Sequence, residues 1–160
     1  VLAGAHPEWD YAELKDRIIR SSDPIEGLRT KVVARGRVNA YQAYAGIFPP
    51  SSDPDESEWQ DVEYPIESAH PYPINLDEVY PVQVPGARMI RVVFDNLEVE
   101  SIYDTLKIES SKGDVIQTLT GKLGAVVSDY VKGDLLNIRF HSDTTQTAYG
   151  FKVSKVQVIR

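Results

Sequence analysis

The second part of the chain is predicted to form an antiparallel β-sandwich, and three observations support this fold class. Apolar residues alternate with polar ones along several segments after residue 88, as strands with one buried face require. Turn-forming residues separate these segments at intervals of about ten residues, which is typical of sandwiches. The chain of 160 residues is long enough for one core of about 100 residues and a smaller part.

The predicted strands are placed by their apolar residues. They are centred on Ile90 to Phe94, Leu106 to Ile108, Val115 to Leu119, Leu136 to Phe140, and Phe151 to Val153. Turns are predicted at Pro85-Gly86, Lys112-Gly113-Asp114, Gly121 to Gly124, and Lys132-Gly133-Asp134. The apolar alternation changes phase between Val153 and Val156, which predicts a β-bulge near Ser154 and Lys155.

Residues 1–48 have a helical pattern instead. Asp10 followed by Glu13 resembles a capping box and predicts a helix that continues to about Ser22, with Pro24 beyond its end. The apolar face of this helix is predicted to consist of Leu14, Ile18 and Ile19.

A second short helix is predicted between Asn39 as its N-cap and Gly46 as its C-terminal stop. Val32 and Val33, between the two helices, are predicted to form a strand or a buried turn. Two short helices cannot build a core by themselves, so this segment is expected to need a partner surface.

An acidic stretch separates the two parts. Residues 49–64 carry six Asp or Glu and no Lys or Arg, together with three prolines. Mutually repelling carboxylates favour an extended, solvated chain, so residues 49–61 are predicted to be a linker and residues 62–160 the β-sandwich. Trp59 is expected to pack on a neighbouring domain.

Composition excludes several classes of partner and site. With a net charge of -7 and a sequence pI near 4.9, the surface is expected to repel nucleic acid and anionic membranes. The chain has no cysteine, and no apolar run approaches the roughly 20 residues of a membrane span. His6, His70 and His141 are too scattered to predict a zinc site. Oligomeric state stays open.

The first segment resembles the end of a catalytic domain. The text VLAGAHPEWDYAELKDRIIRSSDPI and the later Arg35-Gly36-Arg37-Val38-Asn39-Ala40 are similar to the last part of subtilisin-like serine proteases (subtilases, peptidase family S8). The resemblance implies that residues 1–48 are a remnant of a subtilase α/β domain. The Asp, His and Ser motifs of that family are absent, so the chain alone is expected to be inactive, while its parent would be a serine endopeptidase.

The second segment resembles a CUB domain, which is a jelly-roll β-sandwich. The resemblance is carried by Ile66-Glu67-Ser68, Tyr72-Pro73, Ile90 to Phe94, Tyr103 to Ile108, Phe140-His141-Ser142-Asp143, and Gly150-Phe151. The usual cysteine pairs of that family are missing, and the loop between Glu100 and Asp104 is shorter than usual.

The CUB resemblance implies a calcium site. Glu100, Asp104 and Asp143 match the carboxylates with which a subset of CUB domains binds Ca²⁺. Main-chain carbonyls and water would complete the shell of such an ion, with Ser142 or Thr145 as helpers. Oxygen-only groups of this kind suit a hard cation. The alternative is that all three are ordinary solvated loop acids, since the chain has 24 Asp and Glu.

Together the two resemblances predict a non-catalytic accessory module of a secreted or cell-surface serine endopeptidase. It would recognise a protein or peptide substrate, a cell-surface component, or its own protease domain, and so keep catalysis near a target. The alternative is a structural module that stabilises the protease domain and binds no external ligand.

Overall fold

The computed structural model describes residues 2–50 and 53–160. The chain divides into two compact units, with the boundary between Pro54 and Asp55. The first is small and mostly helical, and the second is a β-sandwich. None of the helices in the described ranges combines the length and the apolar character needed to cross a membrane.

The described part of the first unit contains three α-helices, one 3-10 helix and one two-stranded ladder. Its elements are α1 (Leu2–Ala5), α2 (Tyr11–Arg20), β1 (Asp23–Pro24), a 3-10 helix (Glu26–Leu28), β2 (Gly36–Arg37) and α3 (Ala40–Ala45). Both predicted caps are confirmed. The Asp10 carboxylate accepts a hydrogen bond from the Glu13 amide at 2.8 Å, and the Asn39 side chain accepts one from the Gln42 amide at 3.1 Å. Gly46 ends α3 with a φ of 71°.

The predicted strand or buried turn at Val32 and Val33 is wrong. Both residues lie in an exposed turn between β1 and β2, and Val33 is 79% exposed. The cause is the small size of the unit, because among its described residues Ala43 is the only buried apolar side chain. An interior of this size has no room for two further β-branched side chains.

The second unit consists of two antiparallel sheets. Its strands are β3 (Gln60–Glu67), β4 (Asp77–Gln83), β5 (Met89–Glu98), β6 (Thr105–Ser110), β7 (Val115–Leu119), β8 (Val126–Val127), β9 (Val131–Lys132), β10 (Leu135–His141) and β11 (Gly150–Ile159). One sheet has the order β4-β10-β6-β7 and the other β3-β11-β5-β8, with β9 also paired to β5. This mainly β architecture confirms the predicted fold class.

The core lies between the two sheets. In four of the five predicted strands the inward-facing apolar residues are almost completely buried: Ile90, Val92, Phe94, Leu106, Ile108, Leu136, Ile138, Phe140, Phe151 and Val153. In the fifth, β7, Leu119 is buried but Val115 is 42% exposed. The predicted bulge is confirmed, because the register of β11 against both neighbours shifts between Val153 and Lys155. The shift lets Val153 and Val156 both face the core.

The sandwich unit begins at Asp55, before the predicted boundary at Val62. Residues 56–58 form a 3-10 turn with an Asp55 capping box, and Arg91 on β5 donates two hydrogen bonds to the Glu56 carboxylate, at 3.0 and 2.6 Å. The Arg91 guanidinium lies 4.2 Å from the Trp59 ring centroid. The acidic residues of this stretch are visible in the sequence. The contact with Arg91, which neutralises one of these charges and fixes the segment to β5, is visible only in the structure. We call residues 55–59 the strap.

Candidate metal site

Strand topology brings the three predicted acids to one end of the sandwich. Glu100 follows β5, Asp104 immediately precedes β6, and Asp143 follows β10. Because β10 and β6 are antiparallel neighbours, with His141 opposite Thr105, the start of β6 and the end of β10 meet at the same edge. One carboxylate oxygen from each acid lies within 4.8 Å of the others. We call these three residues the acidic cluster.

Asp104 is the buried member of the acidic cluster, with no exposed surface. One of its carboxylate oxygens accepts a hydrogen bond from the Asp143 amide at 2.8 Å, and the other accepts one from the Tyr72 hydroxyl. A buried carboxylate is costly unless it is hydrogen-bonded, and these two donors meet that requirement. They also fix the position of Asp104 relative to Asp143.

Tyr72 is a site residue that the sequence identified only as part of a resemblance. Its buried hydroxyl also accepts a hydrogen bond from the Glu100 amide at 3.0 Å, so it joins the main chain of Glu100 to the carboxylate of Asp104. Burial, and then the Asp104 carboxylate, raise the pKa of Tyr72 to about 12. Tyr72 is therefore a neutral donor at physiological pH and not an anionic ligand.

The two predicted helper residues differ. Thr145 lies in the cluster, where its amide and hydroxyl donate to an Asp143 carboxylate oxygen at 2.8 and 2.9 Å, and its hydroxyl lies 3.4 Å from a Glu100 oxygen. The Ser142 hydroxyl is used elsewhere. It donates to the carbonyl of Pro73 at 2.8 Å and accepts from the amide of Leu76 at 2.9 Å, so it is not a helper of the cluster.

The donor set of the cluster consists of oxygen atoms only. Three carboxylates at this separation, one buried and two half-buried, repel one another when all are ionised. A divalent cation would relieve this repulsion, and carboxylate oxygens are the ligands that Ca²⁺ prefers. Among the described residues, no other group of three or more His, Cys, Asp or Glu offers convergent ligand atoms. The composition of the cluster therefore suits a hard, oxygen-preferring cation such as Ca²⁺ better than zinc, whose structural sites are built mainly from Cys and His.

Comparisons with known proteins concern the sandwich unit. Residues 55–154 match the family model of the CUB domain. A solved structure of the CUB1-EGF-CUB2 domain of human MASP-1/3 has a TM-score of 0.51 and 22% identity, and the match covers 64% of this chain and 42% of that chain. The full extracellular region of zebrafish Gpr126/Adgrg6 has a TM-score of 0.51 and 20% identity, with coverage of 64% and 14%.

A third match is the crystal structure of the MASP-1 CUB2 domain bound to Ca²⁺, with a TM-score of 0.42 and 18% identity, covering 60% of this chain and 90% of that one. The chain spans less than half the length of the first two solved structures. At these identities the matches with TM-scores above 0.5 show a shared fold. Because the family match extends over more than half of the chain and coincides with the antiparallel sandwich, this chain belongs to the CUB domain family.

Proposed function

We propose that the sandwich is a non-catalytic binding module that holds a calcium ion at Glu100, Asp104 and Asp143. The observation that carries this proposal is the convergence of three carboxylates from three separate chain segments on one end of the sandwich. Fold alone does not assign a function, and it is the chemistry of this site that supports calcium binding.

The three acids would have different tasks around the ion. Glu100 and Asp143 are half-buried and would bind the ion from the solvent side. Asp104 is buried and would bind it from the side of the protein interior. Water would complete the six to eight oxygen ligands that Ca²⁺ takes. The ion would supply positive charge where three negative charges meet, and so hold the loops together.

Ordering these loops would prepare a surface for a protein partner. Ile102 and Tyr103, which are 78% and 62% exposed, lie in the loop between Glu100 and Asp104. Aromatic side chains are enriched in the centres of protein interfaces. A loop that is already ordered by calcium loses less conformational entropy when it binds, which favours recognition of a protein or peptide.

The parent protein is proposed to be a secreted or cell-surface serine endopeptidase of the subtilase family. The sequence resemblance of residues 1–46 supports this proposal. The first unit also has almost no hydrophobic core, and its exposed apolar residues include Tyr11, Val33 and Tyr41. Such a unit gains stability by packing against a larger body. The sandwich would then recognise a substrate, a cell-surface component or the protease domain.

The alternative is a structural module that stabilises the protease without binding an external ligand. Deletion of residues 49–160 from the parent separates the two roles. A changed substrate preference at unchanged thermal stability supports the binding module, and a lowered melting temperature with the same preference supports the structural module.

The calcium proposal is tested on the 160-residue chain by titration calorimetry and thermal unfolding. Calcium at a hundredfold excess over its dissociation constant should stabilise the fold by about 2.7 kcal/mol, and chelator should reverse this effect. Asp143→Asn should abolish the response and keep the fold in chelator. Asp134→Asn changes an exposed acid next to β10 at the opposite end and should respond as the unmodified chain does. An unmodified chain without a calcium response would contradict the proposal.

A further inference from the structure

The loop that carries the first two acids is held by a residue that is not an acid. Thr120 follows β7 and is half-buried. Its hydroxyl lies 2.8 Å from the carbonyl oxygen of Asp104 and 3.1 Å from that of Glu100, and it accepts a hydrogen bond from the Ile102 amide at 2.9 Å. One hydroxyl therefore contacts the first, third and fifth residues of the five-residue loop Glu100–Asp104.

The number of contacts matches what a hydroxyl can make. It has one proton and two lone pairs, so the proton is shared between the two carbonyls, with Asp104 the nearer, and one lone pair receives the Ile102 amide. A side chain without a hydroxyl would leave these three main-chain groups without their partner. Part of the loop is half-buried, where such losses are costly.

The loop needs this anchor because its backbone conformation is unfavourable. Ile102 has a φ of 79°, a left-handed value that a β-branched residue rarely adopts. No cysteine is present, so no disulfide holds the loop. The adjacent segment lies very close, since a Cβ atom on Gly121 would be 2.9 Å from the Ser101 hydroxyl oxygen. Hydrogen bonds from Thr120 and this close contact keep the loop against the end of β7.

We propose that Thr120 is a positioning residue that sets the cation affinity of the acidic cluster. By holding both ends of the loop, it fixes the separation of Glu100 and Asp104. It does so through the main chain, since it donates to the carbonyl oxygens of both residues and leaves their carboxylates free to bind the ion. The inference rests on the proposed calcium function and adds a residue that would contribute no ligand atom.

The test compares calcium affinity with loop order in four forms of the 160-residue chain. Thr120→Val removes the hydroxyl at nearly constant volume, and Thr120→Ser retains it. Thr118→Val makes the same change two residues earlier, at an exposed position of β7, and serves as the matched control. Calorimetry gives the dissociation constant, and hydrogen exchange in chelator reports protection of the Ile102 amide.

We expect Thr120→Val to weaken calcium binding by about tenfold or more, as is usual when a residue that orients metal ligands is lost. The Ile102 amide should lose protection in the same variant. Thr120→Ser should restore both properties, and Thr118→Val should leave both unchanged. A purely structural role would lower the melting temperature without changing affinity below the transition.

Thr120→Val with the affinity of the unmodified chain would overturn the inference while leaving the calcium site intact. If Thr120→Val does not fold, Thr120→Ala replaces it with the same two expected results. An unmodified chain that binds no calcium would overturn the proposed function and this inference together, and the first titration distinguishes that outcome.

Discussion

The hydroxyl of Tyr72 donates a hydrogen bond to the carboxylate of Asp104, and both side chains are almost completely buried. The phenol ring packs edge-on against Phe140, with the centroids 4.8 Å apart, so the position of the hydroxyl is set by the core. The packing of the sandwich is thereby coupled to the geometry of the acidic cluster.

The first prediction concerns this coupling. Tyr72→Phe keeps the ring but removes the donor to Asp104 and the acceptor for the Glu100 amide. Leaving such buried groups without a partner costs about 1–3 kcal/mol, so the free energy of unfolding in chelator should fall by that amount. Denaturation with urea measures it. Tyr103→Phe changes a tyrosine that is 62% exposed and should have no measurable effect.

The second prediction concerns the strap and its pH dependence. The hydrogen bonds from Arg91 lower the pKa of Glu56 from its ordinary value of 4.5. A carboxyl whose pKa is lower in the folded state stabilises that state above its unfolded pKa and loses this contribution as the pH falls through the folded pKa. Glu56→Gln should therefore be less stable than the unmodified chain at pH 7. The difference should shrink as the pH falls below 4.5.

The measurement is the free energy of unfolding from pH 7 to pH 3, followed by circular dichroism and by tryptophan fluorescence, which reports on Trp59 and Trp9. Glu63→Gln alters an exposed acid on β3 and serves as the control, since its stability should follow that of the unmodified chain at every pH. A constant difference between Glu56→Gln and the unmodified chain over this range would contradict the role assigned to the Arg91 contact.

Sequence patterns identified the features that depend on near neighbours. The alternation from Ile90 to Phe94 placed a buried strand, and the change of phase after Val153 placed a bulge, because side-chain direction follows the strand repeat of two. The caps at Asp10 and Asn39 were equally visible, since a cap and its target amide are three residues apart.

Contacts between distant segments could not be read in the same way. Tyr72 reaches Asp104 across 32 positions, and Thr120 reaches Glu100 across 20. Which hydroxyl lies nearest to which carboxylate or carbonyl depends on how the strands pair, and a local sequence pattern does not determine that pairing. The acids were placed in one region by a family resemblance, whereas the contacts by which Tyr72 and Thr120 hold them became visible only in the structure.

The third prediction concerns Gly150, the first residue of β11. It has a φ of 96°, and a Cβ atom there would lie 2.0 Å from the Ser68 hydroxyl oxygen. Gly86 also has a positive φ, of 81°, but a Cβ atom there would have no neighbour within 4 Å. Gly86→Ala should therefore lower the free energy of unfolding only by the strain of the left-handed backbone, about 1–2 kcal/mol. Gly150→Ala should lower it by distinctly more, because the steric clash is added to this strain.

Thermal and urea unfolding of both variants measures how much stability each of them loses. The double variant Gly150→Ala with Ser68→Ala removes the nearest clashing atom and should recover part of the stability of the single variant. Equal losses at Gly86 and Gly150 would show that the contact with Ser68 is not limiting.

The last prediction concerns the order of proteolysis by an endopeptidase that cuts after Glu. Glu13 and Glu56 are both exposed, so exposure alone does not separate them. Cleavage requires local unfolding, which costs little in a first unit whose described residues bury only Ala43 among apolar side chains. Opening the strap instead breaks the Glu56–Arg91 pair and the packing of Trp59 on Tyr130, whose ring centroids lie 5.9 Å apart.

Cuts after Glu13 should therefore precede cuts after Glu56, and mass spectrometry of a time course should show a resistant fragment that still contains the strap. Glu56→Gln cannot serve as the control here, because it removes the cleavage site itself. Arg91→Gln keeps the site and removes the cation, so it should bring the cut after Glu56 forward without changing the rate of the cut after Glu13. Strap cleavage before any cut in the first unit would place the start of the stable domain at Val62, as the charge pattern of the sequence predicted.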